Sequence, residues 1–324
     1  MKRLFFLCGC FIILFAAGCG PAASDPGQAA TEYRYTVTDY EGTVLSFSKP
    51  PQRILTLSLG FDVMTLGVVP PERMAAVNIA AEDPGISCIV KESEQIPVKL
   101  RSYPFEAVLK LKPDLIIAST WTDHNAIDGY REMGFPVLVC KGPDTLEEVK
   151  ESIRMIAAAV GEKAAGESVV CEMEKQMKEI EQVLKRQTGT MPTVMLVSQM
   201  TSYGGKGCMF DEFCQKARVC NGISKVGLYN GQYIPKELVV AADPDFFLVS
   251  APRKQMTKAS RTFQQEYVKD PALQGLKGLE HIYYMPDRYL YNATQHGGYA
   301  VKAIANAAYG NIFDMSEEHL IKGY

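Results

Sequence analysis

The stretch that most limits what this chain can fold into is 162–186, which has no proline, one glycine and a single apolar stripe. Ala165, Val169, Met173, Met177, Ile180 and Leu184 recur at three- and four-residue spacing, so they share one face of an α-helix. Lys, Glu and Arg cover the remaining faces. Glu174 with Lys178 and Glu181 with Lys185 stand one turn apart in the favourable order for pairing. At about 1.5 Å per residue the helix is roughly 37 Å long, the diameter of a small domain. Strand and helix patterns alternate before and after it. The expectation is a solvated strut (162–187) between a lobe at 35–161 and a lobe at 188–324.

The beginning of the chain points to export. Lys2 and Arg3 precede the apolar run Leu4 to Phe15, which is too short for a stable membrane span and ends in Ala16-Ala17-Gly18-Cys19. Small residues directly before a cysteine resemble a bacterial lipobox. That implies a leader at 1–18, acylation of Cys19 and a membrane-anchored, extracytoplasmic location, in the periplasm or on the outer face of the cytoplasmic membrane. Residues 19–34 are small and polar, as in a flexible tether. With 47% hydrophobic and 22% charged residues the whole chain has a globular composition, and its net charge of -3 carries no nucleic-acid footprint. Past Cys19 come Cys88, Cys140, Cys171, Cys208, Cys214 and Cys220. The last three match no zinc-ligand spacing, and a Cys208–Cys220 disulfide stays open.

In order, YRYTVTD and the run after Gly42 suggest a β-hairpin. Strands are expected at Arg53 to Leu57, Met74 to Val77, Asp114 to Ala118 and Pro136 to Cys140. Helices are expected at Phe61 to Leu66, Phe105 to Leu111, Thr122 or Asp123 to Met133, and Thr145 to Val160. Past the long helix, strands at Thr193 to Val197, Phe246 to Val249 and His281 to Met285 alternate with helices at Met209 to Ala217, Pro235 to Ala241, Thr262 to Val268 and His296 to Ala308. Continuous apolar strands between helices imply parallel sheets covered on both faces. LKPDLIIAS and AADPDFFLVS echo each other, one in each lobe.

At this point the chain resembles the class III substrate-binding proteins of bacterial ABC importers, the group that carries iron–siderophore, haem and cobalamin. The matching residues are Asp39, Gly42 and Val44; Pro51, Arg53 and Ile54; and the Glu106 helix running into Lys112-Pro113-Asp114-Leu115-Ile116. Lys236-Glu237-Leu238 ahead of Asp243-Pro244-Asp245 and the closing YNATQHGGYAVKAI complete the set. The similarity spans roughly Tyr35 to Tyr309, with an irregular departure at Gly67 to Pro71. The resemblance implies an α/β fold of two Rossmann-like lobes with mostly parallel sheets, joined by one long α-helix. It also implies a ligand between the lobes, and a permease with its ATPase as partners. Glu106 and Glu237 would dock one lobe each onto the permease.

Ligand contacts are sought in loops at the strand ends, the usual binding edge of open α/β sheets. In the first lobe these are Ser58 with Leu59, Arg101, Ser102, Tyr103 and Trp121; in the second they are Tyr203, Lys206, Tyr229, Tyr233, Arg253, Arg288 and Tyr291. Aromatic faces interleaved with cations suit a bulky, partly flat, anionic ligand: an iron chelate, siderophore or haem, with cobalamin as alternative. His124, His281, His296 and His319 are too scattered for a bare-metal site, His296 being the one weak metal candidate. No P-loop, nucleophile elbow, GxGxxG or HExxH occurs, so a two-lobed enzyme is disfavoured and no catalytic cofactor is expected.

Overall fold

The computed structural model describes residues 35–324 apart from 199, 201 and 253–255. The leader, Cys19, the tether and Arg253 lie outside the described residues. Strands β1 (Tyr35–Thr38) and β2 (Val44–Phe47) form the expected antiparallel hairpin. Its turn is closed by the Asp39 carboxylate, which accepts from the backbone of Glu41 (3.0 Å) and Thr43 (2.7 Å), while Gly42 takes φ 87°. The amide of Tyr40 donates to the carbonyl of Val139 at 2.9 Å, fixing the hairpin to the first sheet.

That sheet contains β3 (Ile54–Thr56), β4 (Met74–Asn78), β5 (Lys99–Leu100), β6 (Leu115–Ser119) and β7 (Val137–Cys140), in the order β5-β4-β3-β6-β7. The second contains β8 (Thr193–Val197), β9 (Cys220–Asn221), β10 (Phe246–Ser250) and β11 (Ile282–Met285), in the order β11-β10-β8-β9. All pairings within both sheets are parallel, and β6, β7, β8 and β10 are buried along their whole length. Continuous apolar runs produce this pattern because helices cover both faces.

The doubled phrase is a structural repeat. In the first lobe Pro104 precedes the helix Phe105–Leu111, which stops at Lys112 in the left-handed region (φ 48°). In the second, Pro235 precedes Lys236–Ala242, which stops at Asp243, also at φ 48°. The following proline cannot continue a helix, and the next aspartate then ties the entering strand to its neighbour. Asp114 accepts from the amides of Gln52 and Arg53, both at 2.7 Å, and Asp245 from that of Thr193 at 2.7 Å. Charge-assisted bonds of this kind set the register of β6 on β3 and of β10 on β8.

The long helix runs Lys163–Leu184 and buries Ala165, Val169, Val170, Met173, Ile180 and Leu184. It is not a strut standing in solvent. It packs along Leu146–Val160 and Leu59–Val68 of the first lobe and Gly297–Tyr309 of the second. Gly166 permits this approach, since a Cβ there would lie 2.4 Å from that of Ala157. Packing redirects the expected ion pairs. Glu181 does meet Lys185 at 3.1 Å, but Glu174 reaches across to Lys150 at 3.0 Å. Residues Arg34–Tyr324 cluster as one compact unit whose main core continues from one sheet to the other.

The irregular stretch at Gly67 to Pro71 is an extended helix end. Leu59–Val68 stops there, a 3₁₀ turn follows at Pro71–Arg73, and the chain's last residues pack on it through Gly323 N–H to the Gly67 carbonyl at 2.9 Å. Arg73 locks the join, donating to the carbonyls of Pro51 (2.6 Å) and Val160 (2.7 Å) and pairing with Glu162 at 2.8 Å. The six described cysteines are all free thiols, so no Cys208–Cys220 bridge forms.

Candidate functional site

Strand order reverses between β3 and β6 in one sheet and between β8 and β10 in the other. Loops that diverge from such a switch point leave a crevice at the carboxyl ends of the strands. The repeat sets matching serines around both crevices: Ser58 and Ser198 just past β3 and β8, Ser119 and Ser250 at the ends of β6 and β10. Ser58 caps the helix Leu59–Val68, accepting from Phe61 at 3.4 Å, and Ser119 accepts from the amide of Trp121 at 3.2 Å. In the second lobe one tyrosine joins the pair. The hydroxyl of Tyr291 donates to Ser198 at 3.2 Å and lies 3.3 Å from Ser250.

A cavity of about 360 Å³ opens between the lobes at these positions. The first lobe supplies Ser58, Phe61, Met64, Ile86 and Trp121; the second supplies Asp287, Tyr291 and Asn292. Trp121 is 64% exposed. Its indole lies against Gly142, where a Cβ would come within 2.3 Å of the ring, so only glycine lets the side chain lie flat there. Four of the expected ligand residues line this cavity: Ser58, Leu59, Trp121 and Tyr291.

The others go elsewhere. Tyr203 has its ring 5.2 Å from that of Tyr291, tilted by 50°, and donates to the Leu290 carbonyl at 3.1 Å. It also lines a separate second-lobe pocket of about 310 Å³ with Tyr233, Phe263 and Tyr267. Tyr229 is exposed, with the Lys206 ammonium 5.4 Å above its ring. Tyr103 is held inside the first lobe, its hydroxyl accepting from Asn78 at 3.1 Å, and burial pushes that phenol up. Arg101 and Ser102 are exposed just past β5, away from the cavity lining.

Arg288 is committed to structure. Its guanidinium binds Glu318 at 2.9 and 3.1 Å and donates to the Pro84 carbonyl, joining the C-terminal segment to a first-lobe loop. Burial pushes the Glu318 carboxyl up, but hydrogen bonds from His296, Arg288 and Tyr289 outweigh it and bring it to about 2. His296 is 1% exposed, with Nε2 2.7 Å from Glu318 and its ring 4.8 Å from that of Tyr299; burial lowers its pKa. This histidine is a core residue, its Nε2 engaged by Glu318. Among the described residues no three His, Cys, Asp or Glu side chains gather to hold a bare metal ion.

Sequence reasoning missed Ile86, Pro143, Asp287 and Asn292, which line the cavity from short irregular segments without periodicity. It also missed three of the four serines, Ser119, Ser198 and Ser250, although LIIAS and FFLVS carry Ser119 and Ser250 at the same place in the echoed phrases.

The first 90 residues lie outside a family pattern described as "Periplasmic binding protein", which matches residues 91–289. Over 282 residues the chain is 23% identical to the Fe(3+)-citrate-binding protein YfmC of Bacillus subtilis, covering 82% of this chain and 83% of that one. It is 25% identical to the ABC transporter substrate-binding lipoprotein YvrC of the same organism over 52% of this chain, and spans only 54% of that relative's length. Among solved structures the periplasmic heme-binding protein RhuT of Roseiflexus sp. RS-1 superimposes with a TM-score of 0.69, at 21% identity over 81% of this chain and 99% of its own. At that identity the likeness speaks for the fold. Two parallel-sheet lobes around a crevice and a matching pattern over most of the chain lead to one assignment: this chain belongs to the periplasmic binding protein family, whose members bind solutes and are not enzymes.

Proposed function

We propose that this protein is a lipid-anchored extracytoplasmic receptor that captures an iron chelate between its two lobes and delivers it to an ABC importer. The observation that carries this is Trp121, a large exposed aromatic held flat on Gly142 across a roughly 360 Å³ cavity from Tyr291. A flat or bulky chelate entering the cavity would cover this indole by stacking. Removal of one desolvated stacking partner costs on the order of 1–3 kcal/mol, about ten- to a hundredfold in affinity. Trp121→Ala is therefore expected to weaken chelate binding by that factor in calorimetry while leaving the apo melting temperature nearly unchanged. Gly142→Val is expected to do the same from beneath, by pushing the indole out of position. Full affinity in both variants would remove Trp121 from the site.

Delivery is assigned to Glu106 and Glu237. Both are exposed in the first turns of the repeated helices, and each has an exposed apolar side chain one turn on: Leu109 at 47% and Val240 at 44%. An acid beside an apolar residue, presented once per lobe, suits a two-subunit permease surface with basic pockets. Anchoring rests on the sequence at Cys19. Cys19→Ala is expected to shift the protein from the membrane fraction to the soluble export fraction or to leave it unprocessed. A variant that matures and fractionates like wild type would contradict the anchor.

A further inference from the structure

We infer that Glu212 is a positioning residue for ligand capture: from the second lobe it seats the start of a first-lobe helix and thereby fixes the loop on which the Trp121 indole rests. The inference rests on the chelate-receptor reading above and adds the device that holds its stacking surface in place. The first amide of the helix Leu146–Val160 is one of the donors that a helix leaves without an internal partner. It is taken by the Glu212 carboxylate, 2.6 Å away on the second-lobe helix Met209–Lys216. The side chain of Leu146 is gripped as well. It is 8% exposed and fills the space over Gly297, where a Cβ would come within 2.5 Å of its Cδ2, with the Phe213 ring 3.1 Å from the same point. Backbone and side chain of Leu146 are thus both held by the other lobe.

Four residues before Leu146 stands Gly142, whose bare backbone faces the indole of Trp121. The chain between them spans at most about 14 Å and is braced along its length. Gly142 donates to the Thr120 hydroxyl at 3.0 Å, and Pro143 lines the cavity. Glu148 accepts from the amides of Asp144 (2.8 Å) and Thr145 (3.2 Å) and pairs with Lys141. A segment so short and so well bonded passes a displacement at Leu146 on to Gly142 and does not absorb it. The indole therefore keeps its place only while the second lobe holds Leu146. A carboxylate suits this task, because a helix N-terminus favours negative charge and a charged acceptor makes the stronger bond.

The single tryptophan of the chain reports the effect before any ligand is added. In Glu212→Ala the Leu146 amide loses its partner, and the time-resolved anisotropy of Trp121 in the ligand-free protein is expected to fall. Glu212→Gln keeps an acceptor and is expected to restore it, which a general loss of stability would not do. Gly297→Ala leaves Glu212 intact but presses on the Leu146 side chain, and is expected to lower the anisotropy as well. Calorimetry with ferrioxamine B, a ferric hydroxamate, is expected to show about tenfold weaker binding in both alanine variants and near wild-type binding in Glu212→Gln. Wild-type anisotropy or wild-type ferrioxamine B affinity in Glu212→Ala, or a glutamine variant as impaired as the alanine one, would overturn the inference. If the wild-type protein binds none of ferrioxamine B, ferric citrate, haem and cobalamin, the chelate-receptor reading falls, while the anisotropy of the ligand-free variants still decides the role of Glu212.

Discussion

Exchange of Glu106 and Glu237 together for lysine is expected to abolish chelate uptake by intact cells while leaving chelate affinity in the cleft unchanged. Both acids sit in the first turns of short helices and outside the cavity lining, with backbones fixed by Pro104 and Pro235 at the start and a left-handed residue at the end. The substitutions therefore alter charge and little else. At a permease surface they replace attraction by like-charge opposition at two points, which costs several kcal/mol and slows encounter as well. Uptake should fall by more than a hundredfold in the double variant and less in each single one. Normal uptake by the double variant would remove both residues from docking.

Asp62 is the source of the second large effect, on stability. Its carboxyl is fully buried on the first-lobe helix Leu59–Val68, where it accepts from Thr56 and from the amide of Asn78 at 2.8 Å. Burial pushes it up to about 8 despite those two hydrogen bonds. The folded state thus holds its proton where the unfolded chain has lost it. Stability is greatest below the unfolded value near pH 4, declines as pH rises from there, and levels off once the folded group ionises at about pH 8. The decline amounts to on the order of 3–6 kcal/mol across that window. Asp62→Asn keeps an acceptor for Asn78 and a donor for Thr56 without the titration. Denaturant unfolding at several pH values is expected to show the slope in wild type and its loss in the variant, which should be the more stable protein at pH 8. An equal slope in both would mean that Asp62 does not carry the effect.

The parts of this structure that the sequence reveals are those written in local chemistry. The hairpin around Gly42, the helix Phe105–Leu111, the strand Thr193–Val197 and the doubled Pro-Asp phrase all follow from turn residues, periodicity and the limits proline sets. That Trp121 would line the cavity was legible for the same reason: it directly follows the buried strand Leu115–Ser119 at the carboxyl end of the sheet. What was not legible depends on distant partners. Nothing near Arg288 in the chain announces Glu318, yet that contact turns an apparent ligand cation into a link between lobes. The buried state of Asp62 is equally silent in FDVMTL, where it reads as a polar residue on a helix. Glu174 pairs with Lys150 and not with Lys178, because the neighbouring helix lies close enough to compete. The two-residue strands β5 and β9 are too short to show a period at all.

Emission of Trp121, the single tryptophan of the chain, tests the central claim most directly. A ferric chelate absorbs in the near ultraviolet and visible, so one held between the lobes should quench this indole by energy transfer. Titration of the purified protein with ferric hydroxamate is expected to give saturable quenching, together with a rise in melting temperature that grows with ligand concentration. Emission that stays flat, with no shift in melting temperature, across hydroxamate complexes, ferric citrate, haem and cobalamin would contradict the placement of the ligand in this cleft.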